Sequence, residues 1–225
     1  MSQIKFGTDG WRAVIAQDFT FQNVARVAQA TADYWKSEVQ NPKSRIFNRP
    51  LKVIIGYDRR FLSDRFARVA AGVFAGNDYQ VVLASPATPT PSISFAVKNL
   101  GAVGGVMITA SHNPPEFNGF KLKSHFGGSS GPEECQGVEQ LLDANVPKQI
   151  VNPKSQIIDL EDVRPAHFAA IKKLVDFRLI AKSRLRVAHD ALFGVGAGIV
   201  VGAEEVCGTM SAAKEGERRV TRPRT

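Results

Sequence analysis

Within these 225 residues the side chains best placed for chemistry gather in Thr109–Lys123, TASHNPPEFNGFKLK. Ser111 offers a hydroxyl on a turn built by Asn113, Pro114 and Pro115, and Lys121 and Lys123 lie a short loop away. Ammonium groups beside a hydroxyl could neutralise a phosphate on or near Ser111, which makes that serine a phosphoryl acceptor in one reading. An ordinary polar turn rich in Ser, Asn and Pro is the other, and composition leaves both open. Other chemistries fail on spacing. A nucleophile elbow needs glycine two residues to either side of the serine, where Thr109 and Asn113 stand. Alternation along an extended chain would also turn Ser111 and His112 to opposite sides. His112, His125, His167 and His189 form no HxH or HxxxH pair that could aim two imidazoles at a metal. The string GVGAG at Gly194–Gly198 lacks the third glycine of a dinucleotide fingerprint, with Ile199 or Val201 in its place, and no GxxxxGK[ST] occurs.

The elements that must position the serine follow from apolar periodicity. Val24, Val27, Ala28 and Tyr34 or Trp35 make a helical stripe with Thr20 as its N-cap. Leu51–Tyr57 is a continuous apolar run of the buried parallel-strand type, ended by Asp58. Phe66, Val69, Ala70, Val73 and Phe74 define an amphipathic helix capped by Ser63 and closed by Gly76-Asn77, and Gln80–Ala84 reads as the next strand. After the proline-spaced Ser85–Pro91, Thr90 and Pro91 start a short helix as N-cap and first-turn pair, ending at Gly101. Val103–Thr109 is a third buried strand, so Ser111 falls just beyond a strand's carboxyl end, where open α/β sheets bind ligands. The alternation predicts an α/β fold with a mainly parallel sheet covered by helices on both faces. A helix over Pro165–Ile180, with Phe168, Ile171, Leu174 and Val175 inward, and a strand-like run at Leu185–Ala188 predict a second α/β domain beginning near residue 160.

A hydrophobic share of 44% with 22% charged residues describes a chain able to bury a core. Two cysteines 72 residues apart imply neither a disulfide framework nor a zinc knuckle, which fits a reducing cytoplasm. No segment reads as a membrane span. The net charge is +8, of which Lys214–Thr225 holds +3. Clustered Lys and Arg raise the question of nucleic acid, but no interleaved aromatic platform accompanies them, and nucleic acid is not expected as a partner.

With these residues in view, TASHNPPEFNGFKLK resembles the phosphoserine loop of the α-D-phosphohexomutases, the phosphoglucomutase and phosphomannomutase family. KFGTDGWR (Lys5–Arg12) and GYDRRFLS (Gly56–Ser63) resemble that family's other first-domain signatures, in the same order. The resemblance spans roughly residues 1–200. It implies a mixed, mainly parallel sheet sandwiched by helices over 1–160, an incomplete second α/β domain over 161–200, and a basic tail over 201–225 that is expected to be disordered. It further implies an isomerase of the intramolecular phosphotransferase type, with hexose phosphate and hexose 1,6-bisphosphate as its partners. Ser111 would cycle between hydroxyl and phosphate. His112 would contact the reacting oxygens, and Arg12 and Lys121 would assist charge balance and proton transfer. Asn113, Lys123 and Arg60 would contact phosphate, although Asp58, Arg59 and Arg60 equally fit a salt bridge bracing the loop.

The chain also departs from the family pattern. No DxDGD string is present to carry the family's magnesium, so the cation Mg2+ would meet this sequence only through the Ser111 phosphate. The sugar-recognition and carboxyl-terminal phosphate loops are likewise missing. RLRVAHDALFGVGAG (Arg184–Gly198) resembles the opening of the family's second domain before the match dissolves, which leads to the expectation of a frame break or truncation near residue 200 with exposed apolar surface before it. A catalytically inactive remnant that binds phosphosugar or complements another subunit is the alternative to an active mutase.

Overall fold

A computed structural model describes residues 4–7, 10–148, 158–183 and 189–197. They divide into two compact units between Ala169 and Ala170. The first is built on a six-stranded sheet. In chain order the strands are β1 (Gly10–Val14), β2 (Lys52–Tyr57), β3 (Gln80–Ala84), β4 (Gly104–Ile108), β5 (Phe117–Ser124) and β6 (Ile158–Glu161). Their spatial order is β1-β5-β4-β2-β3-β6. The strands β4, β2, β3 and β6 run parallel, and β5 is antiparallel to both β4 and β1.

The helices α1 (Phe21–Gln40), α2 (Ser63–Gly76) and α4 (Pro132–Gln140) contribute Val24, Trp35, Phe66, Phe74 and Val138 to one core, on one face of the sheet. On the other face α3 (Thr90–Asn99) packs Ile93 and Val97 against Ile54 and Met107, joined by Val163. The α/β sandwich that the sequence pattern implies is therefore present. The placement of α2 and α3 on opposite faces follows from handedness. From β2 the chain steps to β3 on one side through α2, then passes back through α3 to β4 on the other side, and right-handed crossovers in opposite directions put their helices on opposite faces.

Several local expectations are corrected. Thr20 does cap α1, accepting from the Asn23 amide at 3.2 Å. Ser63, however, is the first residue of α2 behind Leu62, which has a left-handed φ of 59°, and the serine hydroxyl is turned to other work described below. Thr90 is likewise inside α3, with Pro89 in the cap position, because Pro91 suits either of the first two helical positions. Lys121 and Lys123 lie past the short loop that carries Ser111, on β5, a strand that the apolar pattern does not announce, as it does not announce β1, α4 or β6. The helix over Pro165–Ile180 is two helices, α5 (Arg164–Ile171) and α6 (Phe177–Lys182). Asp176 starts the second by accepting from the Leu179 amide at 3.0 Å, and Leu174, expected inward, is 86% exposed. Leu179, Leu192 and Phe193 are also exposed. The strand-like run at 185–188 and the tail at 201–225 lie outside the described residues. No helix among the described residues is long and apolar enough to cross a membrane.

Candidate active site

The strands β2 and β4 are neighbours whose chains leave to opposite sides, which makes the crevice beyond their carboxyl ends the topological switch point of the sheet. Two loops meet there. The Asp58 amide donates to the Ile108 carbonyl at 3.1 Å and the Thr109 amide to the Gly119 carbonyl at 2.9 Å, so the last rungs of the ladder close before the loops depart.

Ser111 then turns out of the sheet with φ of 57°, a left-handed conformation that is uncommon and costly for a side chain other than Gly, Asn or Asp. Its side chain is exposed, as are His112, Pro114 and Pro115, and Asn113 is half-buried. The left-handed turn also overrides the alternation argument. Ser111 Oγ and His112 Nδ1 lie 3.5 Å apart, because the chain here is not extended.

Around the turn the hydrogen bonds are dense. Thr109 Oγ1 accepts from the Ser111 amide at 2.9 Å and donates to Asp58 Oδ2 at 2.6 Å. Asp58 Oδ1 accepts from the Arg60 amide and from Ser63 Oγ, both at 2.9 Å, and Asn118 Nδ2 donates to that Ser63 hydroxyl at 2.9 Å. The Arg60 guanidinium lies across the loop. Its Nη1 donates to the carbonyls of Pro114 (2.8 Å) and Phe117 (3.1 Å), and its Nη2 to those of Ser111 (2.9 Å) and Asn113 (2.5 Å). Its Nε stands 3.5 Å from Asp58 Oδ2.

The remaining cations share the α3 face of the sheet, and register grades them by distance along it. Arg12 on β1 is opposite Gly119, level with Thr109, and its Nη1 donates to Asn113 Oδ1 at 3.4 Å. Lys121 is opposite Met107, one pleat farther from the serine, and Lys123 is opposite Gly105, one pleat farther again. Lys123 Nζ donates to Ser129 Oγ at 3.3 Å. Both lysines are buried. Gly119 is what lets Arg12 cross: a Cβ there would meet the Thr109 carbonyl at 2.6 Å and Arg12 Cγ at 3.0 Å. The structure thus brings Ser111, His112, Asn113, Arg12 and Arg60 into one corner, with Lys121 nearer to it than Lys123. Sequence reasoning missed Thr109 and Ser63 as loop-holding hydroxyls. A threonine two residues before the serine, matching a side chain-to-backbone turn, was the available signal.

No group of three or more His, Cys, Asp or Glu able to hold a metal occurs among the described residues. The magnesium implied by resemblance finds no carboxylate cage among them.

An exposed hydroxyl on a braced turn, beside cations at a switch point, has the chemistry to receive an anionic group. Residues 3–148 match the family description "Phosphoglucomutase/phosphomannomutase, alpha/beta/alpha domain I". The chain is 33% identical over 211 residues to a phosphoglucomutase of Staphylococcus epidermidis, covering 88% of this chain and 36% of that one. It is 30% identical over 211 residues to the glucose 1,6-bisphosphate synthase of Mus musculus, covering 86% and 33%. The fold matches a Thermus thermophilus protein described as a phosphomannomutase, with a TM-score of 0.79 and 36% identity over 92% of this chain and 44% of that one. The chain belongs to the phosphoglucomutase/phosphomannomutase family. It spans about a third of the length of the curated relatives it matches.

Proposed function

We propose that this chain carries the phosphoserine domain of a hexose-phosphate mutase that moves a phosphoryl group between C1 and C6 and works in the cytoplasm. The observation that carries this reading is the Ser111 hydroxyl: exposed, on a left-handed turn, beside His112, in a loop whose Asn113 accepts from Arg12. Supporting it are relatives named for phosphoglucomutase and glucose 1,6-bisphosphate synthase activity.

In the first half-reaction a hydroxyl of the hexose phosphate attacks the phosphorus on Ser111. The serine Oγ–P bond breaks as the sugar O–P bond forms, the sugar hydroxyl's proton passes to a nearby base, and the departing serine Oγ takes up a proton from a nearby acid. The product is a hexose 1,6-bisphosphate. After it turns around, Ser111 Oγ gives its proton to a nearby base and attacks the other phosphorus, the second sugar O–P bond breaks, and the freed sugar oxygen takes up a proton. Such transfers need in-line placement and stabilised equatorial oxygens more than covalent help from the protein. Arg12, always charged and fork-shaped, balances the phosphoryl charge; Lys121 is the better proton carrier because an amine can give up its proton. His112 contacts the reacting oxygens. Asn113 and Lys123 extend the phosphate contacts, and Arg60 reaches phosphate only by way of the loop whose carbonyls it holds.

Phosphopeptide mapping after incubation with glucose 1,6-bisphosphate carrying labelled phosphate tests the assignment. Label should reside on Ser111 and vanish in Ser111→Ala. Label on another residue, or label that persists in that variant, would overturn it.

A further inference from the structure

Both main-chain polar groups of Ser111 are held by side chains. Its amide donates to Thr109 Oγ1, which donates in turn to Asp58, and its carbonyl accepts from Arg60, whose own amide and Nε face the same carboxylate. Asp58 is the one group common to both arms. Thr109 is only 5% exposed, and the Asp58 carboxylate is largely covered, so water is a poor substitute for these bonds. With the peptide fixed on both sides at an unfavourable φ, the remaining freedom of Ser111 is rotation about its Cα–Cβ bond, and the hydroxyl is confined to a small arc above the switch point.

We infer that Asp58 is a positioning residue for phosphoryl transfer at Ser111, acting through Thr109 on the serine amide and through Arg60 on the serine carbonyl. The inference deepens the mutase reading and rests on it. Asp58 touches neither the hydroxyl nor a phosphate on it; its contribution is to hold the left-handed turn that an ordinary serine would leave. Ser63, at 2.9 Å from the same carboxylate and itself held by Asn118, orients Asp58 in turn. The amide bond to Thr109 has a second consequence: the Ser111 N–H points inward and is spent, so charge on the phosphoserine must be met by side chains rather than by the serine's own backbone.

The test compares Asp58→Asn, Thr109→Val and Thr109→Ser in the full chain by two readouts. One is the single-turnover rate of Ser111 labelling by glucose 1,6-bisphosphate with its half-saturating concentration. The other is amide hydrogen exchange of the peptide containing Ser111. Displacing a reacting group by about 1 Å costs on the order of 10²-fold in rate, so Asp58→Asn and Thr109→Val should slow labelling by about that factor at unchanged half-saturation. Both should speed exchange at Ser111, and Thr109→Ser should restore rate and protection. Circular dichroism and thermal unfolding confirm that the variants remain folded, and Thr109→Ser serves as the control if either of the others does not. Wild-type exchange at Ser111 in Thr109→Val, or labelling within a few-fold of wild type in both Asp58→Asn and Thr109→Val, would overturn the inference. If the wild-type chain takes no label at all, the mutase reading fails separately, and exchange alone decides whether Asp58 and Thr109 hold the serine.

Discussion

Two serine–histidine pairs among the described residues differ in setting, the tighter one having its hydroxyl buried and the looser one exposed. Ser92 Oγ and His167 Nδ1 lie 2.9 Å apart, against 3.5 Å for Ser111 and His112. Ser92 is fully buried in α3, and His167 on α5 is flanked by the rings of Phe95 and Phe168, at 5.4 and 5.9 Å. No substrate reaches that hydroxyl. Ser111 is exposed at the end of β4, with Arg12 bonded into the same loop and a dense set of bonds holding its backbone. Proximity of a hydroxyl to an imidazole is therefore no mark of a site; exposure, a supply of positive charge and a restrained backbone are. The first pair fastens α5 to α3, and the second, on the mutase reading proposed above, offers a phosphoryl acceptor.

Exchanging the two serines gives the largest contrast. Ser111→Ala should abolish label uptake from glucose 1,6-bisphosphate, whereas Ser92→Ala should label at the wild-type rate; a slow Ser92→Ala would erase the distinction. Next comes the charge supply. Removing one preorganised donor from a developing oxyanion costs about 10²–10³-fold, and Arg12→Ala should slow single-turnover labelling by that much while leaving the melting temperature near wild type. The imidazoles should separate in the same way. His112→Gln is expected to lower the labelling rate by about 10²-fold. His167→Gln should leave the rate alone and lower the melting temperature. On the stability side, Ser92→Ala strands a half-buried ring nitrogen and should cost about 1–3 kcal/mol, read from the urea midpoint.

The smallest effect is a pH dependence. Burial lowers the pKa of His167 from its ordinary 6.5, so the unfolded chain binds that proton more readily than the folded one. The stability from this residue is complete above about pH 6.5 and declines as pH falls below it. Urea midpoints measured between pH 5 and 7 should slope downward toward acid, and His167→Gln should flatten part of that slope. His125, also lowered, first by burial and then by Arg49, supplies another part. An unchanged slope in His167→Gln would mean that the α5 contact does not depend on a neutral ring.

Much of the scaffold was readable because its parts obey one period at a time. Lys52–Tyr57, Gln80–Ala84 and the stripe of Phe66, Val73 and Phe74 are buried on the faces that their spacing predicts. Two strands escaped for opposite reasons. In β5, Phe120 and Leu122 alternate with Lys121 and Lys123, a strand period obscured by the charge of two buried lysines. In β1 only five residues pair, too few to show a period. The α4 helix buries just Cys135 and Val138, and such a narrow stripe is lost among its glutamates. At the site, the hydroxyl and its cations were legible as residue types. The bracing network was not, because Asp58 and Thr109 are joined across 51 positions and only the β2–β4 pairing brings them together.

That same long-range closure bears on how the protein is made. Arg12 and the Asn113 that it touches are separated by 101 positions, and β1 reaches the serine loop only through β5, which takes its place between β4 and β1. On the ribosome, the Arg12 guanidinium emerges long before the loop that it will touch. Contacts of such sequence separation form late, after their loop-closure entropy has been met. The nascent polypeptide accordingly passes a long stretch of its synthesis with this corner open, and the Arg12–Asn113 contact closes only when that intervening ribbon slots home.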